Sequence, residues 1–352
     1  MMQSMSRLPD NDEMYRALAE RDAAYEGIFV AAIRTTGIFC RPSCPARKPR
    51  PENVEYFRRA GDALAAGYRP CKRCEPMIPL GAAPDWLDPL LGEIDRDPLR
   101  RWTEQDLRDR QFDPNRVRRW FREHHGMTFL AYLRARRLGR AFTRLKEGQD
   151  VADSAYSAGF DSLSGFCEAL RKSTGEAPRG STRRRDLAVC RFSTPLGPMV
   201  AAGDAEAVVL LEFWDRRMLE TQFKALERRI GAVFFPGENE PLRQIRGEAE
   251  RFFRGELRAF ATPLLLPGSE HQRRVWTALR SIPYGKTASY GEIARRLGKP
   301  SATRAVARAV GENRLAMVVP CHRVVGADGR LTGYGGGLWR KRWLLDHERQ
   351  NR

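Results

Sequence analysis

The stretch that decides the fold of the C-terminal part reads Leu315-Ala316-Met317-Val318-Val319-Pro320-Cys321-His322-Arg323-Val324-Val325. Its first five residues are apolar and predict a strand, which Pro320 ends in a bend. A Cys-His pair within a strand would be weak evidence of a site, because neighbouring side chains point to opposite faces. At a bend, the imidazole of His322 can approach the thiol of Cys321 directly or through a water molecule. The stretch therefore predicts an activated cysteine nucleophile.

The sequence on both sides of this stretch predicts an α/β domain in two parts. Residues 191–200 are typical of strand, turn and strand, and residues 207–213 of a buried strand. Residues 270–281 have the apolar spacing of a helix. We expect an α/β subdomain at 187–265 and an active-site domain with a winged-helix-like DNA-binding part at 268–350.

A helix bracketed by Pro300 and Gly311 is predicted in this second part. Ala302, Ala305 and Ala309 fall on one face of it, which is almost without side chains. Such a face permits close approach to a DNA groove, and it equally permits close packing against another helix. Composition alone leaves both interpretations open.

The motif residues of this region resemble the O6-alkylguanine-DNA alkyltransferase family over residues 187–350. The resemblance rests on the Pro-Cys-His-Arg-Val core, on Asn313 eight residues before Cys321, and on the Leu-Leu-Asp-His-Glu run that ends at Glu348. It implies that Cys321 accepts the alkyl group and that His322 takes the thiol proton through a water molecule. It implies further that Glu348 orients and stabilises the imidazole.

The same resemblance implies roles for residues that handle the DNA. Asn313 matches a hinge residue, and Tyr290 matches a residue that contacts the phosphate and the leaving guanine. Arg304 matches the side chain that fills the base stack when the damaged base is flipped out. The loop at 333–337 matches the one that shapes the pocket.

Four of the seven cysteines form two short-spaced pairs near the N-terminus, Cys40 with Cys44 and Cys71 with Cys74, separated by 26 residues. Two such pairs favour a tetrahedral zinc site over disulfides. The alternative is four reduced, unrelated cysteines. A zinc ion would replace the core that so small a module lacks.

The segments around these cysteines, TTGIFCRPSCPAR at 35–47 and GYRPCKRC at 67–74, resemble the N-terminal domain of the Ada family of DNA alkylation-response proteins. The resemblance implies that Cys40 is both a zinc ligand and an acceptor of methyl groups from methylated DNA phosphates. The other three cysteines match ligands only.

Three further positions of the module, Thr36, Arg47 and Arg69, match family positions near the DNA backbone, and their side chains can donate to phosphate oxygens. The alternative is an ordinary solvated surface. Four thiolates around Zn²⁺ carry a charge of −2, and methylation of one sulfur reduces it to −1. Weaker repulsion of the phosphate backbone should then strengthen DNA binding.

The middle of the chain is predicted to be helical, with one helix opening at Thr103 and another at Asp113-Pro114. The segment GFDSLSGF at 159–166 resembles the AraC-type DNA-binding domain, whose helix-turn-helix pairs place recognition helices in successive major grooves. Residues 114–144 carry nine Arg and one acid, which favours DNA binding. The alternative is a helical domain with an exposed basic face.

Composition and length agree with a multidomain DNA-binding protein. The 352 residues carry a formal charge of +18, which indicates a polyanionic partner. The proline-rich segment 76–84 and the basic segment 178–185 read as a linker and a tether. We expect a zinc-bound α+β module at 1–80, an all-α helix-turn-helix domain at 85–182, and the α/β alkyltransferase domain.

The location and partners follow from the same features. The longest apolar run, Leu315 to Cys321, is far shorter than the ~18 residues of a membrane span, and the N-terminus lacks the apolar stretch of a secretory signal. We expect a cytoplasmic, nucleoid-associated bacterial monomer that binds double-stranded DNA and RNA polymerase, with no membrane partner.

The order of the three modules is the Ada arrangement, which implies a bifunctional, single-turnover methyltransferase and transcriptional regulator. Cys321 would accept methyl from O6-methylguanine and O4-methylthymine, and Cys40 from methylphosphotriesters. The competing interpretation is a transcription factor whose zinc is purely structural, with repair at Cys321 only.

Overall fold

The fold is described by a computed structural model, which covers residues 8–78 and 83–352. Residues 8–78 form a sheet module with the elements α1 Asn11–Glu20, β1 Val30–Ile33, β2 Ile38–Cys40, β3 Val54–Phe57, α2 Ala60–Ala65 and β4 Arg69–Pro70. The strand order is β3-β1-β2-β4, with β1 antiparallel to both neighbours and β2 parallel to β4. This last pairing brings the ends of two cysteine-bearing segments together.

The middle part is helical, as predicted. Its helices are α3 Asp88–Arg96, α4 Glu104–Asp109, α5 Pro114–His125, α6 Phe129–Lys146, α7 Val151–Ser157, α8 Leu163–Thr174 and α9 Pro178–Ser181. Asp113 caps α5 by accepting a hydrogen bond from the Asn115 amide at 2.8 Å, and Pro114 takes the first helical position. No helix in the described parts of the chain is long and apolar enough to cross a bilayer.

The C-terminal part begins with a four-stranded sheet in the order β7-β6-β5-β8. Its elements are β5 Arg185–Phe192, β6 Met199–Gly203, β7 Val208–Phe213, α10 Leu219–Ile230, β8 Ala232–Pro236 and α11 Glu240–Phe253. The active-site part adds α12 Glu270–Arg280, β9 Ala288–Ser289, α13 Tyr290–Arg296, α14 Thr303–Gly311, β10 Val324–Val325 and α15 Leu338–Gln350. The short strands β9 and β10 pair in parallel.

The prediction of a strand before Pro320 is wrong. Only Leu315 makes a bridge, to Leu211, and the chain then turns, with Met317 at a φ of +67°. The cause is the side chain of Asn313, whose Oδ1 accepts from the Leu315 amide at 3.0 Å and whose Nδ2 donates to the Val319 carbonyl at 2.9 Å. These bonds replace the ladder that a strand would need. The next residues, Cys321–Arg323, form one 3-10 turn.

The prediction of a basic tether at 178–185 is also wrong. Residues Pro178–Ser181 form α9, in which the Ser181 hydroxyl donates to the Pro178 carbonyl at 2.7 Å. Arg185 is already the first residue of β5 and pairs with Ala232 of β8. The basic composition of the segment did not predict this strand. In the structure, an ion pair with Asp204 compensates the charge of Arg185. The linker predicted at 76–84 lies partly outside the described residues, at 79–82.

The helix predicted between Pro300 and Gly311 begins later and ends one residue further on than expected. Pro300–Ala302 form a 3-10 turn, α14 starts at Thr303, and Gly311 is its last helical residue. The small-residue face divides: Ala309 is buried where the Trp276 indole donates to its carbonyl at 2.8 Å, whereas Ala305 is exposed. Helix packing therefore accounts for Ala309 but not for Ala305.

The zinc module packs against the C-terminal part, and the turn that carries Tyr25 and Gly27 is one of the contacts. The Tyr25 ring stacks on the Trp339 ring with centroids 6.2 Å apart and an interplanar angle of 22°. At Gly27, where φ is +79°, a Cβ would lie 2.6 Å from the Pro195 carbonyl oxygen. Side chains of the two parts join in one apolar core, so the module and α15 support each other.

We expect Trp339→Ala to lower the free energy of unfolding by about 3 kcal/mol, because it leaves a cavity at this contact. Trp339 is 5% exposed, whereas its neighbour Leu338 is 47% exposed, so Leu338→Ala should change stability by less than about 0.5 kcal/mol. Urea unfolding of the full chain measures both. Equal effects of the two substitutions would contradict the packing described.

Candidate active site and metal centre

Cys321 lies at the start of the 3-10 turn and is partly exposed. The turn at Asn313, already held by its bonds to Leu315 and Val319, places the Asn313 Nδ2 3.1 Å from the Cys321 Sγ. Burial raises the pKa of the Cys321 thiol, and the hydrogen bond from Asn313 opposes this rise. The same amide thus shapes the turn and stabilises a thiolate.

His322 is fully buried beside Cys321 in the chain, and its Nε2 lies 2.7 Å from Oε1 of Glu348. An ionised carboxylate only accepts hydrogen bonds, so Nε2 carries the proton. Burial lowers the pKa of His322, so the ring is neutral at pH 7 and Nδ1 is unprotonated. Nδ1 is buried and has no partner among the described residues. A lone pair with these properties can accept a proton from a nearby thiol or water.

Glu348, on α15, is fully buried and holds the His322 ring in place. Burial alone raises its pKa, but hydrogen bonds from His322 and Arg323 outweigh burial and lower that pKa to about 2. Arg323 donates to both carboxylate oxygens at 2.9 Å, and the Gly285 amide donates to Oε2 at 3.0 Å. The carboxylate is therefore ionised and fully partnered at neutral pH.

Sequence reasoning missed several buried cations of this site, among them Arg323 and Lys341. Arg323 belongs to the Pro-Cys-His-Arg-Val core, but nothing in that motif indicates that its guanidinium binds Glu348. Lys341 is fully buried, donates to the Thr332 carbonyl at 2.7 Å, and has its pKa lowered to about 8 by burial. A Lys among the charged residues of α15 reads as a surface residue, so only the tertiary structure identifies it as buried.

The cavity at Cys321 measures about 20 Å³, which is room for about one water-sized group. It is lined by Cys321, Asn313 and Arg216 and by the loop Gly333–Gly336. A methyl group fits such a cavity, whereas entry of a purine requires the loop to move. The loop predicted to shape the pocket does line it.

Two residues predicted to handle DNA lie at the edge of this region. The Tyr290 hydroxyl, at the start of α13, accepts a hydrogen bond from Thr332 at 3.2 Å and so adjoins the loop that leads to the pocket. Arg304, in the first turn of α14, is exposed. An exposed side chain at this position can meet a partner, as an intercalating side chain requires.

The four N-terminal cysteines form one cluster, in which all Sγ atoms lie within 4.8 Å of one another. Parallel pairing of β2 and β4 produces it, since Cys40 ends β2 and the Cys71 amide donates to the Phe39 carbonyl at 3.0 Å. Tetrahedral zinc with Zn–S bonds of about 2.3 Å needs sulfurs about 3.8 Å apart. The donor set and its spacing fit zinc.

The thiols of this cluster compete for protons. Hydrogen bonding between Cys40 and Cys44 lowers the pKa of Cys44 and raises the pKa of Cys40. Each additional thiolate in so small a space would be repelled by the others. Four thiolates so close together require a cation, which agrees with a zinc site and rules against unrelated cysteines.

The loop between Cys40 and Cys44 is held by Arg41 and Glu26, which sequence reasoning missed. The Arg41 Nε donates to the Cys74 carbonyl at 2.7 Å, and its amide donates to the Cys74 Sγ at 3.4 Å. Glu26 is buried and accepts from the Ser43 amide at 3.2 Å and from Arg41 at 3.4 Å. Its position, 14 residues before Cys40, gave no signal.

The residues predicted to face the DNA backbone lie on the surface near the cluster. Thr36, Arg47 and Arg69 are all exposed. The Arg69 amide donates to the Gly37 carbonyl at 2.8 Å, so the turn that carries Thr36 adjoins Arg69. The structure thus brings Thr36 and Arg69 together. Arg47 follows Cys44 by three positions in the chain.

The basic stretch at 114–144 carries less uncompensated positive charge in the structure than its sequence suggests. Arg118 pairs with Glu104, and Arg136 pairs with Asp95 at 3.0 Å, and both acids precede the stretch. Arg119, Arg122 and Arg134, in contrast, are exposed. α5 and α6 therefore retain a basic surface, although a smaller one than the sequence suggests.

Comparison with known proteins extends this description. Residues 13–77 match the metal-binding domain of Ada, residues 111–185 a helix-turn-helix domain, and residues 270–350 the DNA-binding domain of 6-O-methylguanine DNA methyltransferase. The Bifunctional transcriptional activator/DNA repair enzyme Ada of Escherichia coli is 35% identical over 97% of both chains. The chain belongs to the Ada family.

Relatives of the C-terminal part alone are also known. The Methylated-DNA--protein-cysteine methyltransferase of Mycobacterium leprae is 44% identical to this Ada-family chain, over 46% of this chain and 92% of its own. The crystal structure of Mycobacterium tuberculosis OGT in complex with DNA is 40% identical, covers 47% of this chain and 94% of its own, and has a TM-score of 0.41.

The family assignment confirms several predictions from the sequence. The Ada resemblance, the multidomain α/β fold class and the zinc site are borne out. Homologues of the C-terminal part are methylated-DNA–protein-cysteine methyltransferases. The roles of individual residues rest on the geometry described above and are taken up as proposals below.

We expect the stability of α15 to fall as the pH drops through the titration of Glu348. Its pKa is about 2 in the folded chain, below the ordinary 4.5, so the carboxylate stabilises the fold fully above pH 4.5 and progressively less toward pH 2. This pKa difference corresponds to about 3 kcal/mol.

Native-state hydrogen exchange of residues 338–350 between pH 5 and 2.5 measures this loss. Glu348→Gln should flatten the pH dependence, and Glu250→Gln, a substitution at an exposed residue, should leave it as in the parent. The same slope in both variants would argue against a titrating Glu348.

We expect Cys71→Ala to weaken zinc binding so far that the purified protein holds clearly less than one zinc per chain, because it removes one of the four thiolate ligands of the tetrahedral site. Cys167→Ala, outside the cluster, should retain one zinc per chain. Metal analysis of the purified proteins measures both. Full zinc content in Cys71→Ala would show that these four cysteines are not the ligand set.

Proposed function

We propose that this chain repairs alkylated DNA by taking methyl groups irreversibly onto two cysteines, and that one of the two transfers switches it to a transcriptional activator. Cys321 takes methyl from O6-methylguanine and O4-methylthymine, and Cys40 takes it from DNA methylphosphotriesters. One observation supports the proposal. A single Ada-family chain holds both a four-sulfur cluster and a cysteine followed by a histidine whose Nδ1 has no partner among the described residues.

Transfer at Cys321 begins with the thiol proton, which passes through a water molecule to Nδ1 of His322. The thiolate attacks the methyl carbon, an S–C bond forms, and the bond from carbon to the guanine oxygen breaks. The guanine leaves with that electron pair and takes a proton at N1, so that the thiol proton is balanced on the repaired base. Glu348 stabilises the imidazolium during this step, and Asn313 stabilises the thiolate.

Reversal is prevented by the product. A neutral thioether is a poor leaving group, and the nearest charged groups described at the site, Lys341 and Arg216, cannot act as nucleophiles while protonated. Each chain therefore acts once, as a stoichiometric reagent. Tyr290 and Arg304 would hold the DNA and fill the base stack while the lesion occupies the pocket.

Transfer at Cys40 uses the same atom balance. The Cys40 sulfur forms a bond to the methyl carbon, the carbon–oxygen bond of the phosphotriester breaks, and the phosphodiester leaves with the electron pair. Zinc held by the four cysteines keeps sulfur as thiolate at neutral pH. Thr36, Arg47 and Arg69 would donate to neighbouring phosphates.

Methylation of Cys40 removes one negative charge from the face that meets the DNA, which strengthens binding and turns repair into a signal. The helix-turn-helix domain would then hold the protein at a promoter and present it to RNA polymerase. We further propose a monomer in the cytoplasm, associated with the nucleoid, with domains at 1–80, 85–182, 187–265 and 268–350.

A second candidate function keeps the zinc purely structural and confines repair to Cys321. The burial of Cys40, which is 6% exposed, favours it, since an acceptor sulfur must meet a phosphotriester. Cys74 is the more exposed sulfur of the cluster.

Peptide mapping by mass spectrometry separates these functions. We expect DNA with O6-methylguanine to methylate Cys321 alone, and DNA with methylphosphotriesters to methylate Cys40 alone. Cys321→Ala should lose the first transfer completely and retain zinc, while Cys190→Ala, at a cysteine of neither site, should behave as the parent. Methyl on Cys321 with none on Cys40 would favour the structural-zinc alternative, and methyl on neither would refute the proposal.

A further inference from the structure

Arg216 connects the N-terminal sheet of the alkyltransferase part to the turn that carries Asn313. It lies between β7 and α10 and is 8% exposed. Its Nη1 donates to the Asn313 carbonyl at 2.7 Å, and its Nη2 donates to the Gly311 carbonyl at 2.7 Å. These carbonyls lie at the C-terminal end of α14, where a cation is favourable. One side chain thus fixes the main chain on both sides of Glu312.

A buried carboxylate balances the charge of Arg216. Glu212, 2% exposed, accepts a hydrogen bond from its guanidinium and another from the Phe213 amide at 3.0 Å. Taking two charges out of water costs more than an exposed pair would, and apolar residues of similar size can often replace such a pair without loss of stability. Fold stability alone therefore does not require this arrangement.

The same guanidinium forms part of the wall of the Cys321 cavity. Arg216 lines that cavity together with Asn313 and Gly335. A Cβ on Gly335 would lie 2.7 Å from the Arg216 Cζ, so the pocket loop packs directly on the guanidinium. The Nε of Arg216 is buried and has no partner among the described residues. Both the loop and the turn that shape the site therefore rest on one side chain.

We propose that Arg216 is a positioning residue for methyl transfer at Cys321, acting through the Gly311–Asn313 turn. The Asn313 main chain is held by Arg216, and its side-chain amide lies 3.1 Å from the Cys321 Sγ. Without Arg216, the turn relaxes and the amide no longer meets the sulfur at hydrogen-bond distance. A misplacement of about 1 Å at a reacting group can cost up to about a hundredfold in rate. This inference rests on the function proposed for Cys321.

The electrostatic surroundings of Cys321 give this role a distinct signature. The charged or titratable groups around the thiol are Arg216, Lys341 and Tyr334, the buried Glu212 that also lines the cavity, and His322 next to Cys321 in the chain. Loss of Arg216 removes a positive charge and weakens the hydrogen bond from Asn313. Both changes disfavour the thiolate, so the rising limb of the pH–rate profile should move to higher pH.

The test compares Arg216→Met with Arg217→Met in the full zinc-loaded chain. Arg217 is the adjacent, exposed arginine, so its substitution controls for the lost charge. Single-turnover transfer from DNA with O6-methylguanine is measured from pH 6 to 9, together with the midpoint of thermal unfolding. We expect Arg216→Met to slow transfer ten- to a hundredfold at pH 7 and to shift its profile to higher pH, and Arg217→Met to match the parent.

Further variants guard against a fold defect. Should unpaired Glu212 prevent folding, Glu212→Gln with Arg216→Met removes both charges and should show the same slow, shifted profile. Arg216→Lys should restore part of the rate, since it keeps the charge and can still donate to one of the two carbonyls, although it lacks the forked guanidinium. A parental rate, or a slow rate with an unshifted profile, overturns the inference. Failure of the parent chain itself to transfer methyl would instead refute the proposed function.

Discussion

The active site depends on one buried carboxylate. Glu348 has no exposed surface, and it binds the His322 ring, the Arg323 guanidinium and the Gly285 amide. An ionised group in such a place is tolerated only when it is fully partnered. The carboxylate binds Nε2 of His322 and so fixes which ring nitrogen carries the proton, which leaves Nδ1 as the nitrogen that can act as a base. α15, which carries Glu348, packs against both the sheet module and the alkyltransferase core.

The two cysteine sites solve the same chemical problem by opposite electrostatic means. At Cys321 the thiol is neutral until an imidazole and an amide help it to ionise, within a cavity sized for one small group. At Cys40 the sulfurs are so close that only a cation permits them to ionise together. On the proposed function, methylation would end the reaction at both sites, but only at the metal centre would it change the charge presented to DNA. Signalling therefore belongs to the zinc module and not to the buried pocket.

The sequence predicted residues whose chemistry is local and missed those whose role comes from distant contacts. Sequence pattern alone identifies Cys321, His322 and the two cysteine pairs as candidate functional residues. Arg216 contacts Asn313 from 97 positions away, and no pattern in the chain marks it. The strand predicted before Pro320 failed for a related reason, since apolar composition cannot reveal that the Asn313 side chain takes the hydrogen bonds of the ladder. Composition also overstated the basic surface of α5 and α6, because their acidic partners lie outside the stretch.

The protonation state of the His322 ring tests the central claim most directly. Long-range ¹H–¹⁵N NMR of the ¹⁵N-histidine-labelled chain at pH 7 reports which ring nitrogen carries hydrogen. The account predicts a neutral ring with the proton on Nε2, bonded to Glu348, and a bare Nδ1. A proton on Nδ1, in either the opposite tautomer or the imidazolium, would contradict it, because no base would then remain for the thiol of Cys321.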